Sequence, residues 1–273
     1  SALGKYLPAD VAAQIMRDPD QLSLHGERRN IYCVFTDLEG FTKLSHAVTP
    51  ETVARLLNEY LDRLSDVVLD HGGTIDKFVG DAIVAFWGAP ISRPDDGPQA
   101  AEAAIAMHAV GEQFRKDLES EDVPPIGMTR VGLHVGDAIV GNFGGEDRIQ
   151  YTALGDSMNT ASRLESANKS LKTRVLISSE AAAGAGRDDL VPMGRVTLRG
   201  RAQPVDVLTP RPDLSEEQRA RIAALVEAHA AGNKKAYVTC ATALAGEFGQ
   251  DPAIMFLIER LNETQKGESY VLS

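Results

Sequence analysis

Two six-residue apolar runs, TIDKFV (74–79) and AIVAFW (82–87), are separated only by Gly80-Asp81. Their β-branched and aromatic residues suit a pleated surface, and a Gly-Asp pair suits a tight turn, so the string predicts a β-hairpin. A hairpin commits the chain to an antiparallel sheet that other elements must cover. Upstream, IYCVFT (31–36) reads as a buried strand running into the polar turn DLEGFT. Thr49-Pro50-Glu51 is a helix start, with a capping hydroxyl, Pro at the first position and an acid in the first turn. The apolar spacing Val53, Leu56, Leu57, Tyr60, Leu61, Leu64, Val67, Val68 carries that helix to Gly72-Gly73. Asp95-Asp96-Gly97-Pro98 opens a second helix over about 97–119.

TRVGLHV and AIVGNF, split by Gly136-Asp137, predict a second hairpin by the same argument. A helix over 155–167, a strand at 173–178 and two late strands, VTLRG and PVDVL, follow. This order predicts an α+β fold whose first part is the ferredoxin-like βαββαβ unit, with extra strands and helices. A short helix over 8–18 precedes it. After Pro210 and Pro212 the chain becomes Ala-rich and helical, with breaks near Gly232-Asn233 and at 249–252. The organisation reads as a linker (1–30), a central domain (31–210) and a helical appendage (211–273).

Charge narrows the function. The 273 residues carry 28 Lys+Arg against 39 Asp+Glu, a net charge of -11, which argues against nucleic acid or an anionic membrane surface as a partner. The acidity is concentrated: residues 31–125 hold 7 basic and 17 acidic residues, net -10, whereas 126–210 hold 10 and 9, net +1. Cys33 and Cys240 cannot form a disulfide framework, no run of about 18 apolar residues exists, and the start, SALGKYLPAD, contains no apolar leader. A reducing, cytoplasmic setting is the expectation, and the missing initiator Met suggests a piece of a longer protein.

Three constellations carry chemistry. Asp37 ends the first strand and Asp81 occupies the hairpin turn; in a β-α-β-β unit these positions are neighbours and could hold a hard cation, although turns favour Asp for conformational reasons as well. Leu38-Glu39-Gly40-Phe41-Thr42 is a turn into a helix, either a plain connection or a main-chain cradle for phosphate. Asn159 and Arg163 lie four apart on one helix face, as a surface pair or as groups that orient a sugar and neutralise a phosphoryl group. Lys77 alone reads as an ordinary strand lysine.

Together the strings VFTDLEGFT (34–42), DKFVGDAIVAFWG (76–88), RVGLHVGDAIVGNFG (130–144), YTALGDSMNTASRLE (151–165) and LRGRAQPVDVL (198–208) resemble the class III adenylate/guanylate cyclase catalytic domain. The resemblance implies the nucleotide cyclase fold. It implies that Asp37 and Asp81, with the Leu38 carbonyl, bind two Mg²⁺ or Mn²⁺ ions per site, and that residues 38–42 face the phosphates. Lys77 and Thr152 correspond to the purine-selecting pair, in the form found in a bacterial subgroup that favours ATP over GTP. Asn159 corresponds to the ribose-orienting residue and Arg163 to the transition-state arginine. Arg130 aligns with a triphosphate contact, and Arg201, in preference to Arg199, with another. The resemblance further implies a head-to-tail homodimer with shared sites, cyclic AMP signalling, and an upstream membrane sensor, because residues 1–30 resemble the linker found in such proteins. Guanylate cyclase and a nucleotide-binding module without turnover are the alternatives.

Overall fold

A computed structural model describes residues 9–18, 26–145, 148–200, 203–266 and 268–272. The hairpin lies where the sequence puts it: β2 (Thr74–Val79) and β3 (Ala82–Trp87) turn at Gly80, whose φ of 61° is the left-handed conformation glycine tolerates. β1 (Glu27–Leu38) pairs antiparallel with β3 on one side and with β4 (Thr129–Gly145) on the other. The resulting order β2-β3-β1-β4 is that of the ferredoxin-like unit, and the sheet continues through β6 (Val175–Ser178), β8 (Val205–Pro210), β7 (Leu190–Thr197) and β9 (Tyr270–Val271).

Alternation along the strands divides the cover. Val34, Ile75, Ile83, Ala85, Val131 and Leu133 face α3 (Pro50–Asp70) and α4 (Asp96–Asp117) in one buried cluster. Ile31, Cys33, Val84, Phe86 and Val140 face the other way, onto Met158 and Ala161 of α5 (Asp156–Leu171). The Thr49 side chain caps α3 by accepting from Thr52 N. The segment after β1 forms a one-residue left-handed turn at Gly40 (φ 80°) and then the short α2 (Phe41–Ala47).

One expectation fails. Residues 129–145 do not form a hairpin about Gly136-Asp137: β4 runs straight through that pair, with Gly136 opposite Ile31 and Asp137 opposite Asn30. The pair serves the strand interior instead. The Asn30 amide donates to the Asp137 carboxylate at 3.2 Å, and a side chain at 136 would collide with Ser157 Oγ of α5. The true partner of the distal half of β4 is β5 (Arg148–Leu154), a stretch in which the sequence reading places no strand.

After the short α6 (Ser179–Ala183), a third helical layer follows. α7 (Glu216–Ala231), α8 (Lys234–Glu247) and α9 (Pro252–Glu263) share a buried cluster with β7, β8 and the end of α5, through Ile222, Leu225, Leu244, Leu257 and Leu261. At the other end, Ala12 and Ile15 of α1 (Ala9–Arg17) pack on Ile91; residues 1–8 and 19–25 of the linker lie outside the described residues. Among the described residues, no helix is long and apolar enough to cross a membrane.

α5 sits against β4 with almost no gap. A Cβ on Gly132 would fall inside contact distance of two α5 main-chain atoms, Glu165 N and Ala161 O. Gly132→Ala should therefore push α5 off the sheet and cost on the order of 1–3 kcal/mol in chemical denaturation; an unchanged midpoint would show that the helix shifts freely.

Candidate active site

The end of β1 and the β2–β3 turn meet. The Asp81 carboxylate accepts the main-chain N–H of Leu38 at 2.9 Å, so the hairpin turn is fastened to the end of β1. Asp37 faces Asp81 there, within hydrogen-bonding reach. Burial, and then the Asp37 charge against the relief given by the Leu38 N–H, pushes the Asp81 carboxyl up to about 6. Two carboxylates held together in a half-buried niche are an oxygen donor set for a hard divalent cation, which relieves the same repulsion. Mg²⁺ keeps several waters and takes ligands from substrate phosphates, so two carboxylates suffice for it. Among the described residues, no group of three or more His, Cys, Asp or Glu side chains forms a metal cage.

Glu165, which sequence reasoning passed over, is 8% exposed and reaches Asp37 from α5. Burial first, and then the Asp37 charge, pushes its carboxyl up to about 8, against the opposing pull of Arg130. Nothing in a helical Glu two residues after an Arg marks it in sequence as buried.

Beside this pair, Arg130 stands opposite Asp37 across the β1–β4 ladder. Its guanidinium donates to the Glu39 carboxylate at 2.5 Å, and its Nε is buried without a protein partner. Residues 38–42 connect β1 to α2: Glu39 N donates to Met128 O and Gly127 N to Glu39 O, at 3.1 and 2.7 Å. Gly40, Phe41 and Thr42 then enter the first turn of α2, where helix N–H groups lack an intrahelical acceptor. Arg130, Lys169, Lys172 and Arg174 line one cleft of about 860 Å³ between α4, the end of α5 and the segment leading into α7.

Thr152 is brought to β2 at Asp76, the residue next to Lys77. Thr152, on β5, is 6% exposed and donates its hydroxyl proton to Asp76 at 2.6 Å; Asp76 adjoins Lys77. Lys77 itself is half-buried.

Asn159 is exposed and Arg163 half-buried on α5. The Arg163 guanidinium lies 3.7 Å from Asp156 and alongside Gly200, in the turn after β7. Arg199 in that turn is exposed, and Arg201 lies outside the described residues. At about 100° per residue, Asn159 and Arg163 share a face of α5, while Glu165, which meets Asp37, points the opposite way. The chain's own Arg163 is thus turned away from its own acidic pair.

With this geometry in view, the similarities to known proteins are specific. The family model described as adenylate and guanylate cyclase catalytic domain matches residues 25–208. Adenylate cyclase 1 of Rhizobium meliloti is 38% identical over 183 residues, covering 66% of this chain and 27% of that protein. An uncharacterised protein of Mycobacterium tuberculosis is 34% identical over 212 residues, 76% of this chain and 35% of that one. The chain spans about a third or less of the length of these curated relatives. Among solved structures, the adenylyl cyclase CyaB of P. aeruginosa aligns with a TM-score of 0.62 at 34% identity, over 70% of this chain and 99% of that one. The guanylyl cyclase Cya2 aligns with a TM-score of 0.61 at 32% identity, over 68% and 93%.

Proposed function

Because the chain belongs to the adenylate and guanylate cyclase catalytic domain family, we propose that it is an adenylate cyclase, converting ATP to 3′,5′-cyclic AMP and pyrophosphate at sites shared by two copies of the chain. The observation that carries this reading is the meeting of Asp37 and Asp81 at the Leu38 N–H, beside Arg130.

In the reaction the ribose 3′-oxygen bonds to the α-phosphorus and loses its proton, and the bond from that phosphorus to the bridging oxygen breaks with its electron pair leaving on pyrophosphate. Asp37 and Asp81, with the Leu38 carbonyl, would hold two Mg²⁺ or Mn²⁺ ions, whose chemistry is to lower the pKa of the hydroxyl and offset the leaving charge. The chain's own groups do the positioning, which dominates phosphoryl transfer. The turn 38–42 and Arg130 receive the triphosphate, and Arg201 is proposed as a further phosphate contact. Asn159 orients the ribose, and Arg163 meets the charge that grows on the phosphoryl oxygens.

The orientation of α5 supports sharing between copies. Arg163 faces away from its own Asp37, so a second copy placed head to tail would bring its Arg163 and Asn159 to these carboxylates. Phe78, Val79, Ile139 and Leu154 are exposed large apolar side chains near the hairpin tip and on β4 and β5, surface of the kind a second copy covers.

Adenine is favoured by Lys77. A donor there suits the N1 acceptor of adenine and opposes the N1–H of guanine. Similarity to the guanylyl cyclase Cya2 makes GTP the second reading. The test is cyclic nucleotide formation from ATP and from GTP, with Mg²⁺ and with Mn²⁺, across a range of protein concentrations. The expected result is cyclic AMP as the main product and a specific activity that rises with concentration as dimers form. Preference for GTP would transfer the assignment to guanylate cyclase, and nucleotide binding without product under every condition would leave a binding module. Signalling through cyclic AMP, a cytoplasmic location and control by an upstream membrane sensor accord with this reading and are proposed with it.

A further inference from the structure

Asp76 is a buried acid that the reaction described above does not use. It is 5% exposed and sits where the β2–β3 register shifts: Ile75 stands opposite Ala85 and Lys77 opposite Val84, which leaves Asp76 without a ladder partner. Such a bulge re-aims a side chain. This one is aimed at β5, where one carboxylate oxygen accepts the Thr152 hydroxyl at 2.6 Å and the other lies 3.5 Å from the Ala153 N–H. The Lys77 ammonium is the nearby positive charge. Burial pushes the Asp76 carboxyl up, while the hydroxyl, the ammonium and the amide all favour its ionised form.

An ionised carboxylate only accepts hydrogen bonds, whereas a threonine hydroxyl has one proton and two lone pairs. A Thr152 whose proton is committed to Asp76 therefore presents only lone pairs to anything else. We propose that Asp76 is a specificity-determining positioning residue: by taking the Thr152 proton it makes that hydroxyl an obligate acceptor, suited to the exocyclic amine of adenine and opposed to the carbonyl of guanine. The inference rests on the reading of Lys77 and Thr152 as the base-contacting pair. It turns that pair into one fixed donor and one fixed acceptor, the complement of adenine N1 and N6, and the reverse of what guanine N1–H and O6 present. Without Asp76, the Thr152 hydroxyl rotates and serves either base.

The test is the ratio of kcat/KM for ATP to that for GTP in the full chain, measured for wild type, Asp76→Asn, Asp76→Ala, Thr152→Ala and the double variant Asp76→Asn/Thr152→Ala. The Asn amide can donate to the hydroxyl and free its proton, so the ratio should fall on the order of tenfold. Asp76→Ala, which removes the carboxylate and its buried charge together, should lower the ratio in the same way and serves if the Asn variant fails to fold. Thr152→Ala should lower it by a similar amount, and adding Asp76→Asn to that background should change it no further, because the two residues act through one hydroxyl. A purely structural Asp76 would lower kcat/KM for both nucleotides together and leave the ratio alone, which overturns the proposal while leaving Thr152 as a base contact. A ratio unmoved by Thr152→Ala overturns both. A wild type that cyclises neither nucleotide removes the enzymatic reading itself.

Discussion

Asp81→Ala and Arg163→Ala, each inactive when alone, should regain about a quarter of the wild-type rate per chain when mixed in equal amounts, the fraction set by random pairing in a two-site, two-fold dimer. The value follows from the geometry. Half of the dimers in such a mixture are mixed, and each mixed dimer holds one site with intact carboxylates from one copy and an intact arginine from the other. Its second site carries both lesions. Alone, Arg163→Ala removes a preorganised donor for the transition state and should lower kcat on the order of 10²–10³-fold, with a smaller effect on KM. Asp81→Ala removes half of the acidic pair and the acceptor of the Leu38 N–H, which loosens the hairpin turn from β1 as well. Mixing Asp81→Ala with Asp37→Ala is the control: both lesions fall on the same half of each site, so no combination restores one. Cyclic nucleotide formation, followed over time after mixing, reads the result. Failure of the first pair to recover, under conditions where labelled chains are seen to exchange, would show that each site is built within one chain. Arg163 would then have to reach its own carboxylates although it and Glu165 point in opposite directions from the same helix.

Local chemistry made much of this architecture readable. The β2–β3 hairpin, the Thr49 cap and the long α3 are each specified within a few residues, so the chain announces them without its neighbours. Asp37 and Asp81 were legible because one ends a strand and the other occupies a turn that the fold type brings alongside. The misreading at Gly136-Asp137 has the same origin. A Gly-Asp pair between apolar runs looks identical whether the chain turns there or continues, and what selects the continuous strand is remote: Asn30 across the ladder and Ser157 on α5. β5 does alternate Arg148, Gln150 and Thr152 with Ile149, Tyr151 and Ala153, but the run is short and its strand state also depends on pairing with the end of β4. Asp76 and Glu165 were invisible as buried acids because an acid is read as surface unless its partner is known. Their partners, Thr152 and Asp37, lie 76 and 128 positions away in the chain. The uneven charge of the sequence finds a physical counterpart too: Asp37 and Asp81 come from the acidic stretch 31–125, while Arg130 and Arg163 come from the near-neutral stretch 126–210.

With divalent ions chelated, Glu165→Gln should raise the stability of the protein increasingly as pH rises from about 5 to 8, by a few kcal/mol at the upper end, from about 1.36 kcal/mol per pH unit of difference between folded and unfolded pKa. The sign follows from the direction of the shift. Burial, and then the Asp37 charge, raises the folded carboxyl from the ordinary 4.5 to about 8. Below the ordinary value both folded and unfolded chains hold the proton, and the carboxyl costs nothing. Between the two values the unfolded chain releases its proton while the folded chain retains it, so folding becomes less favourable with each pH unit. Above about 8 the folded chain ionises as well, and the penalty levels off. Gln has the shape of the protonated acid and never ionises, so the variant escapes this penalty. Asp81, raised to about 6 for similar reasons, contributes the same slope to both proteins and largely cancels in the comparison. Denaturant midpoints measured for the pair at several pH values should coincide near pH 5 and diverge towards pH 8. A constant offset across that range would mean that Glu165 is already ionised in the folded protein, held by Arg130 more strongly than burial and Asp37 oppose it. Bound Mg²⁺ should reduce the divergence without removing it, since a cation at Asp37 cancels the smaller cause and leaves the larger one, burial, in place.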